Sequence, residues 1–253
     1  MKKIKFVLSL LLVGLIVVFA ANFIKNYQES PSSTFHVKDL LTDVNNDNLA
    51  DKIELFGRKN NVDDTQYLSF ELTVTDGDTQ MKRKFSPSFL KGCNPSMGLY
   101  DFTGDKLPEI MISSEDGDRI LTSIARLDED IIKPVFQEAD NEGVRLNLSF
   151  GSNYSLNGSF ADGKRLAVNL EHIKPALTSY GIYTDEGTYK EKDAPSITPY
   201  TSLIAMDIEN DGIFELLGTQ VIKTKDSSLP LCNLISVHKY NNGFKLTDIK
   251  YTR

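Results

Sequence analysis

The sequence predicts an all-β, mainly antiparallel fold, because short runs of alternating apolar and polar residues are separated by turn residues along most of the chain. In residues 67–75 the second, fourth, sixth and eighth residues are apolar, as in a strand with one buried face. Asp76-Gly77 then supplies a turn, and residues 80–85 form the returning strand of a hairpin.

The same reasoning places further strands along the chain and leaves little room for helix. Two more hairpins are predicted, one pairing residues 120–127 with 131–136 and one pairing 234–240 with 244–251. Strand-like runs also occupy residues 144–150, 154–160 and 165–170. The best helical candidate is 171–180, which Pro175 limits to a turn or two.

The first 25 residues are predicted to be a signal peptide or an N-terminal membrane-anchor helix. Lys2, Lys3 and Lys5 precede an almost unbroken apolar run over residues 6–21. Such a segment directs the chain to a membrane and keeps its lysines on the cytoplasmic side. The length of the run fits both a cleaved signal and a retained anchor. We therefore expect the rest of the chain to lie outside the cytoplasm, secreted or anchored to the cell membrane.

The net charge limits the expected classes of partner, and the cysteines and histidines limit the expected cross-links and metal sites. The net charge of -7 disfavours nucleic acid and anionic lipid and suits cations, so membrane contact is expected only through the N-terminal segment. Cys93 and Cys232 fit either a disulfide or two free thiols. The histidines His36, His172 and His238 lack the spacing of a zinc site.

Three segments of the chain share one layout, in which an apolar approach leads to an acidic loop and then to an apolar strand. We name them the first acidic loop (residues 43–51), the second acidic loop (101–109) and the third acidic loop (207–215). The spacing from the second to the third is close to twice the spacing from the first to the second. A fourth unit without an acidic loop therefore fits between residues 139 and 189.

Each acidic loop is predicted to bind calcium. Oxygen-bearing side chains stand at loop positions 1, 3, 5 and 9, and the main-chain carbonyl of position 7 can join them in a tight turn. Calcium takes about six to eight oxygen ligands without demanding octahedral geometry, which favours it over magnesium. The predicted ligands are Asp43, Asn45, Asp47, Leu49 and Asp51 in the first loop, Asp101, Thr103, Asp105, Leu107 and Glu109 in the second, and Asp207, Glu209, Asp211, Ile213 and Glu215 in the third.

The residue at position 6 predicts which of the three loops binds an ion best, because the chain must adopt a left-handed conformation there. Gly212 does so freely, Asn48 tolerates it, and Lys106 pays a steric cost. The first and third loops are therefore predicted to be the better sites. The alternative is that the loops are solvated turns that join strands without any ion.

With these residues in view, the three loops resemble the calcium loops of FG-GAP or VCBS-type repeats, in which the loop joins two strands of a β-propeller blade. The resemblance implies a small or incomplete β-propeller-like array of about four repeat units. After the signal or anchor (residues 1–25) and a polar linker (26–34), the β-repeat domain is expected over residues 35–253. Its units are expected near residues 35–90, 91–138, 139–190 and 191–253.

The functional hypothesis from the sequence is an extracytoplasmic calcium-binding repeat module without catalytic activity. It would serve surface binding or adhesion to an extracellular or envelope ligand that the sequence does not identify. One alternative is a secreted or envelope-associated enzyme acting on a cell-wall or extracellular polymer, although no Gly-x-Ser-x-Gly element occurs. The other is a structural component of the envelope.

Overall fold

A computed structural model describes residues 33–252, and these form a mainly antiparallel all-β structure. This confirms the predicted fold class. The predicted signal or anchor helix and nearly all of the linker lie outside the described residues. Within residues 33–252, no helix is long and apolar enough to cross a membrane.

The first and second sheets are four-stranded meanders, in which each strand pairs with the next along the chain. The predicted hairpins at 67–85 and 120–136 lie in these two sheets, because turn residues separate their alternating runs as the pattern required. The first sheet contains β1 (Ser33–Thr42), β2 (Asp51–Lys59), β3 (Ser69–Thr75) and β4 (Lys82–Phe85). The second sheet contains β5 (Cys93–Tyr100), β6 (Glu109–Asp116), β7 (Arg119–Asp128) and β8 (Ile131–Phe136).

The third sheet has three short strands and no acidic loop. It contains β9 (Asn147–Gly151), β10 (Ser155–Ser159) and β11 (Arg165–Asn169). Residues 152–154 join β9 to β10 in a tight turn, with positive φ at Asn153 and Tyr154. A 3-10 turn at Glu138–Glu142 precedes this sheet, and a 3-10 turn at Glu171–Ile173 leads after it into α1 (Lys174–Ser179). The predicted short helix at 171–180 is therefore present.

The fourth sheet is the largest, and it contains the third predicted hairpin. Its strands are β12 (Pro195–Ile197), β13 (Ser202–Met206), β14 (Glu215–Thr224), β15 (Pro230–Tyr240) and β16 (Phe244–Thr252). β12 and β13 pair with different parts of β14, and β14, β15 and β16 form a meander. The two long strands β14 and β15 bury one face fully and the other partly, so fully buried and half-buried residues alternate along much of each strand.

Three hydrophobic clusters join neighbouring sheets and set their spatial order. Ile53, Leu72 and Val74 of the first sheet pack with Ile110 and Ile112 of the second. Phe102, Ile124 and Phe136 in and around the second sheet pack with Leu203 and Leu216 of the fourth. Leu156 and Val168 of the third sheet pack with Ile222 and Leu234 of the fourth. The order in space is thus first, second, fourth, third, which differs from the order along the chain.

Both cysteines are free thiols, which decides the question that the sequence left open. Cys93 lies at the start of β5, and Cys232 is buried on β15 in the cluster between the third and fourth sheets. Burial raises the pKa of the Cys232 thiol to about 11. Cys232 therefore acts as a small apolar side chain of the core.

Candidate metal site

The three acidic loops occupy equivalent places in the fold. Each follows the first strand of a meander (β1, β5 or β13) and ends on the first residue of the next strand (β2, β6 or β14). The second and third loops touch, because the Phe214 N–H donates to the Asp101 carbonyl at 2.8 Å. Asn45 of the first loop and Asp105 of the second line one cavity. The loops therefore lie side by side at one end of the sheets.

One hydrogen bond closes all three loops in the same way. The carboxylate of position 9 accepts the N–H of position 2, so the beginning and end of the loop are tied together. The distances are 2.9 Å from Val44 to Asp51, 2.8 Å from Phe102 to Glu109 and 3.0 Å from Ile208 to Glu215. These three carboxylates are almost fully buried, so each serves as a hydrogen-bond acceptor inside the fold whether or not an ion is bound.

A second shared bond folds the loop around its first aspartate, which accepts the N–H of position 6. The distances are 2.9 Å from Asn48 to Asp43, 2.8 Å from Lys106 to Asp101 and 3.0 Å from Gly212 to Asp207. Position 6 has positive φ in all three loops, as predicted, and so does position 4, which the sequence analysis had not anticipated. The first aspartates thus face the N–H groups of their own loops.

Asp43 shows the electrostatic result of this arrangement. Burial acts to raise the pKa of its carboxyl, but the N–H groups of Asn48, Asn46 and Asn45 outweigh burial and hold the pKa below its usual range. In each loop the position-5 aspartate also accepts the N–H of position 7, with Leu49 donating to Asp47 at 2.7 Å in the first loop. Position-1 and position-5 carboxylates therefore stabilise the turn itself.

The first loop alone brings three carboxylates together. Oxygen atoms of Asp47, Asp51 and Asp76 lie within 4.8 Å of one another, and within residues 33–252 no other group of three His, Cys, Asp or Glu side chains converges in this way. Asp51 and Asp76 are buried, and Asp47 is exposed at the mouth. Two predicted ligands therefore meet a third acidic residue that the sequence analysis had assigned only to a hairpin turn.

Asp76 reaches the loop because the β3–β4 turn packs directly against it. The Gly77 N–H donates to Asp51 Oδ1 at 2.9 Å. A Cβ atom on Gly77 would stand 2.6 Å from the Ala50 carbonyl oxygen, so only glycine permits this approach. The Thr79 N–H at 2.7 Å, the Thr79 hydroxyl and the Asp78 N–H hold the pKa of Asp76 below its usual value. Asp76 is therefore anionic at neutral pH.

Arg83 brings positive charge to this cluster, and the neutral Asn45 amide donates hydrogen bonds to it. Arg83 Nη1 lies 3.4 Å from Asp76 Oδ2, while its other nitrogen Nη2 pairs with Asp130 in the neighbouring sheet. The Asn45 amide nitrogen lies between two carboxylates, 3.0 Å from Asp47 and 3.1 Å from Asp76. The Asn45 amide oxygen meanwhile accepts the Asp47 N–H at 3.0 Å. Asn45 thus lies within the cluster, but its amide nitrogen faces the carboxylates, whereas the predicted ligand atom is its oxygen.

In the second loop, the carboxylate at position 9 has a different set of hydrogen-bond partners. The Thr103 hydroxyl donates to Glu109 Oε1 at 3.1 Å, so the position-3 residue acts here as a hydrogen-bond donor. Burial raises the pKa of Glu109, with Asp105 and Asp101 adding to the effect and the bonds from Phe102 and Thr103 opposing it. Arg126 lines the same cavity as Asp105 and Glu109. The Arg126 side chain thus lies near the second loop, and its Nη2 is 3.7 Å from Asp128 Oδ2.

The third loop contains an ion pair. Lys239 Nζ lies 2.5 Å from Glu209 Oε1 and 3.4 Å from Glu215 Oε1, so it joins the residues at positions 3 and 9. The pairs with Glu209 and Glu215 raise the pKa of Lys239. Two of the predicted ligands of the third loop therefore already share one positive charge.

The pairing register explains why the loops differ. Lys52 pairs with Thr75 across β2 and β3, Ile110 with Ala125 across β6 and β7, and Leu216 with His238 across β14 and β15. Continuing each of these registers by one residue toward the loop places the position-9 residue opposite a residue of the next strand or its turn. We call this opposite residue the facing residue. The facing residues are Asp76 in the first unit, Arg126 in the second and Lys239 in the fourth. The facing residue is thus acidic in the first unit and basic in the second and fourth units.

The residues around the first loop could hold a metal ion. Three carboxylates converge, two of them buried, and clustered carboxylates without a counter-ion repel one another. The other two loops fit such an ion less well, because within residues 33–252 no other three carboxylates converge; in the third loop Lys239 also pairs with Glu209 and Glu215. The sequence ranked the loops by position 6, whereas the structure separates them by the facing residue.

Comparison with known proteins adds two likenesses. The family described as the YybI C-terminal domain matches residues 144–252, which contain the third and fourth sheets and the third acidic loop but neither of the other loops. The chain is similar to YybI. That protein, "Uncharacterized protein YybI" of Bacillus subtilis (strain 168), is 22% identical over 220 residues, covering 85% of this chain and 83% of its own length. No solved structure matches.

Proposed function

We propose that this protein is an extracytoplasmic calcium-binding repeat module without catalytic activity, used for surface binding or adhesion. The observation that carries the proposal is the convergence of Asp47, Asp51 and Asp76 at the first acidic loop. Calcium would be held by these carboxylates and would tie the β1–β2 loop to the β3–β4 turn. Its role is to stabilise the first sheet, and the surface that recognises a partner lies elsewhere.

The arrangement of the sheets supports a small or incomplete β-propeller-like array as the finer description of the fold. Each of the first two sheets is a four-stranded meander with its acidic loop between the first and second strands. The fourth sheet repeats this layout in β13 to β16. The third sheet would be a reduced unit, since its first two strands are joined by a tight turn in place of the loop.

An exposed apolar face on the fourth sheet supports a binding role. Met206 and Ile208 are each 41% exposed. They border a groove that Ile235 and Val237 also line. An apolar surface with charged residues at its rim is a common feature of surfaces that bind other molecules. We propose that the ligand is an extracellular or envelope component, and that the N-terminal segment places the domain outside the cytoplasm.

Among residues 33–252, a serine and a histidine that lie close together, Ser236 and His238, do not form an accessible hydrolytic site. Ser236 Oγ lies 3.0 Å from His238 Nε2, and the Tyr200 hydroxyl lies 2.8 Å from the same nitrogen. Ser236 is only 1% exposed, so no polymer can reach its hydroxyl. Burial lowers the pKa of His238 to about 4 despite the nearby charge of Asp140. This group is a neutral hydrogen-bond network of the core.

Thermal unfolding of the purified full-length protein with calcium and with a chelator tests the proposal. An ion that binds only the folded state at about 100 times its dissociation constant adds about 2.7 kcal/mol to the free energy of unfolding. For a chain of this size the melting temperature should rise by about 5–10 °C. The double variant Asp47→Asn/Asp76→Asn should lose this rise, because two carboxylate ligands become amides.

The matched control is Asp211→Asn, which changes the equivalent of Asp47 in the third loop. It should leave the calcium-dependent rise unchanged, since we assign the ion to the first loop. A wild-type melting curve that does not respond to calcium would refute calcium binding. A rise that survives Asp47→Asn/Asp76→Asn but disappears in Asp211→Asn would move the site to the third loop.

A further inference from the structure

The cavity between the second and fourth sheets runs along the edge of a strand. It has a volume of about 440 Å³, and residues 201–205, which lead into β13 and form most of it, line one side. Ser96, Met97 and Gly98 of β5 line the other side. Successive side chains of a strand point to opposite faces of its sheet. A cavity that contacts consecutive residues of both strands therefore lies along their edges, where the main chain is accessible.

Both strands at this cavity have a free edge. Within residues 33–252, β5 pairs only with β6, and β13 pairs only with β14. Two main-chain bonds join the sheets before and after β13, from the Ile120 N–H to the Tyr200 carbonyl at 2.9 Å and from the Phe214 N–H to the Asp101 carbonyl at 2.8 Å. In the described part of the chain, no main-chain hydrogen bond joins β13 itself to the second sheet. The cavity is the gap between the two edges.

The register of β13 shows which of its main-chain groups face the cavity. The Thr219 carbonyl accepts the Thr201 N–H at 2.8 Å, so the main-chain groups of Thr219 point toward the β13 side. Main-chain groups alternate in direction along an antiparallel pair. Ser202, the partner of Thr219, therefore points toward β14, and the next residue, Leu203, points away from it. Ala205, two residues further along, also directs its N–H and C=O groups into the cavity.

The cavity-facing groups of Leu203 are buried, although the cavity beside them is open. Leu203 is 4% exposed, whereas its neighbour Ile204 is 45% exposed and also lines the cavity. Buried main-chain N–H and C=O groups are nearly always paired, whether with protein, with ordered water or with a ligand. An extended segment that entered beside Ile204 would supply such partners to the edge of β13.

Of the two edges, β13 is the more available one. Lys38 of the first sheet extends its ammonium group to the Met97 carbonyl of β5, at 2.8 Å, and so covers part of that edge. Within residues 33–252, no side chain forms a hydrogen bond with the main-chain groups of Leu203 or Ala205. A strand that adds to this gap therefore meets unpaired groups first on β13.

The charge near one end of the cavity suits a basic ligand. Glu115, Asp118 and Arg119, in and around the β6–β7 turn, line this end. Arg119 and Lys91 both pair with Asp116. The three carboxylates thus face two cations, which leaves one negative charge uncompensated, and the chain as a whole has a net charge of -7. A lysine or arginine at the end of a bound segment would be attracted here.

We infer that the free edge of β13 binds an extended, basic segment of a partner protein by strand addition. Main-chain bonds to Leu203 and Ala205 supply affinity for an extended segment, and the acidic end of the cavity selects one with lysine or arginine. This inference rests on the binding role proposed above and gives it a class of partner. It requires no calcium ion.

Selection from a library of random peptides displayed on phage, carried out on the purified full-length protein in chelator, tests the inference. The selected peptides should be rich in lysine and arginine. Ala205→Pro removes an N–H that faces the cavity, at a strand edge where proline is tolerated, and should weaken the binding of the synthetic peptides about tenfold. Ile204→Arg places a long cationic side chain at the opening and should weaken binding at least as much.

Ile131→Arg is the matched control, because Ile131 is an exposed residue of β8 that does not line the cavity. It should bind the peptides as wild type does. Ile204→Arg keeps the test decisive if Ala205→Pro does not fold. A library that yields no binding peptide, or peptides whose binding survives Ile204→Arg, would overturn the inference.

Amide hydrogen exchange followed by NMR supplies a readout of the strand itself. Bound peptide should slow exchange at Leu203 and Ala205 and leave Ser202 and Ile204, which already face β14, unchanged. Binding without this alternating protection would overturn strand addition. Protection of Leu203 and Ala205 that grows with protein concentration in the absence of peptide would show that a second copy fills the edge, which would overturn the choice of partner.

The results separate this inference from the calcium site. A protein that binds the peptides at β13 but melts at the same temperature with calcium and with chelator would refute the calcium site alone. A protein that melts higher in calcium but selects no peptide at β13 would refute the strand-addition site alone.

Discussion

The two halves of the molecule handle buried negative charge in different ways. In the first and second sheets, the first loop gathers Asp47, Asp51 and Asp76 around one point with little positive charge nearby. Buried carboxylates in both halves accept hydrogen bonds from the chain, as Asp51 does from Val44 and Gly77, but among the described residues of the third and fourth sheets no three carboxylates converge. Lys239 pairs with Glu215, and Asp193 accepts N–H groups from Ala194, Asp226 and Ser227.

The difference shows that a shared loop conformation does not imply a shared charge environment. All three acidic loops have the same internal hydrogen bonds at positions 2 and 6, so their backbones are determined locally. The register of the sheet sets a different side chain opposite position 9 of each loop, namely Asp76, Arg126 or Lys239. The calcium site that we propose lies in the half that contains Asp76.

The largest effect is expected where a carboxylate supports two segments at once. Asp51 is fully buried and accepts the N–H groups of Val44 and Gly77. Asp51→Ala leaves both groups without an acceptor and should lower the free energy of unfolding by about 3 kcal/mol. Glu215→Ala removes one such bond, from Ile208, and frees the partly exposed Lys239, so about 1–2 kcal/mol is expected.

Urea unfolding in saturating calcium measures both values. Asp51→Asn keeps an acceptor oxygen and should lose less than Asp51→Ala, which controls for loss of the side chain as a whole. Equal losses for Asp51→Ala and Glu215→Ala would show that the two halves depend on these loops to the same degree, and the contrast drawn above would be wrong.

A smaller effect is expected at Asp193, which anchors the β14–β15 turn. Burial acts to raise the pKa of this carboxyl, but the N–H groups of Asp226 and Ser227 and the Ser227 hydroxyl hold it at about 2, below the ordinary 3.8. Asp193→Ala should cost about 2 kcal/mol at neutral pH. Because the folded-state pKa is depressed, this stabilisation is complete above pH 3.8 and is lost as the pH falls toward 2.

The difference in stability between wild type and Asp193→Ala, measured by urea unfolding from pH 2 to 5, should therefore shrink in that window. Asp118→Ala provides the comparison, since Asp118 is an exposed residue of the β6–β7 turn. A wild-type advantage over Asp193→Ala that stays constant from pH 5 to 2 would contradict the assignment of the anchor to the ionised carboxylate.

The smallest effect is expected at His238, where the fourth sheet meets the second. Burial lowers the pKa of its imidazole from 6.5 to about 4, and Asp140 partly opposes the shift. Between these values the unfolded chain binds a proton that the folded chain does not, so stability should fall as the pH drops from 6.5 to 4. About 1 kcal/mol, or a fall of about 2–4 °C in melting temperature, is expected.

His238→Gln keeps a side chain that can hydrogen-bond to Tyr200 and removes the titration. The melting temperature of this variant should change less than that of wild type from pH 6.5 to 4, and proton NMR should show the His238 ring of wild type still neutral at pH 5. A ring that titrates near 6.5 in the folded protein would rule out this source of pH dependence in the second half of the molecule.

Local sequence determined much of the fold because strands and turns depend on neighbouring residues. The alternation at residues 67–75 gave β3, and the turn chemistry at Asp76-Gly77 gave the β3–β4 hairpin. The positive φ at Asn48, Lys106 and Gly212 also followed from the loop pattern. The spatial order of the sheets did not follow, since it depends on which apolar faces meet across long stretches of chain.

The sequence by itself determined the antiparallel strands and the three loops with their acidic residues at fixed positions. These features depend on neighbouring residues and repeat along the chain. Only the tertiary structure decided which loop gathers negative charge. Asp76 and Lys239 look like ordinary turn and strand residues in the sequence, and they reach the loops through the register of antiparallel strands. Charges separated along the chain interact strongly only when folding brings them within a few ångströms and removes the intervening water.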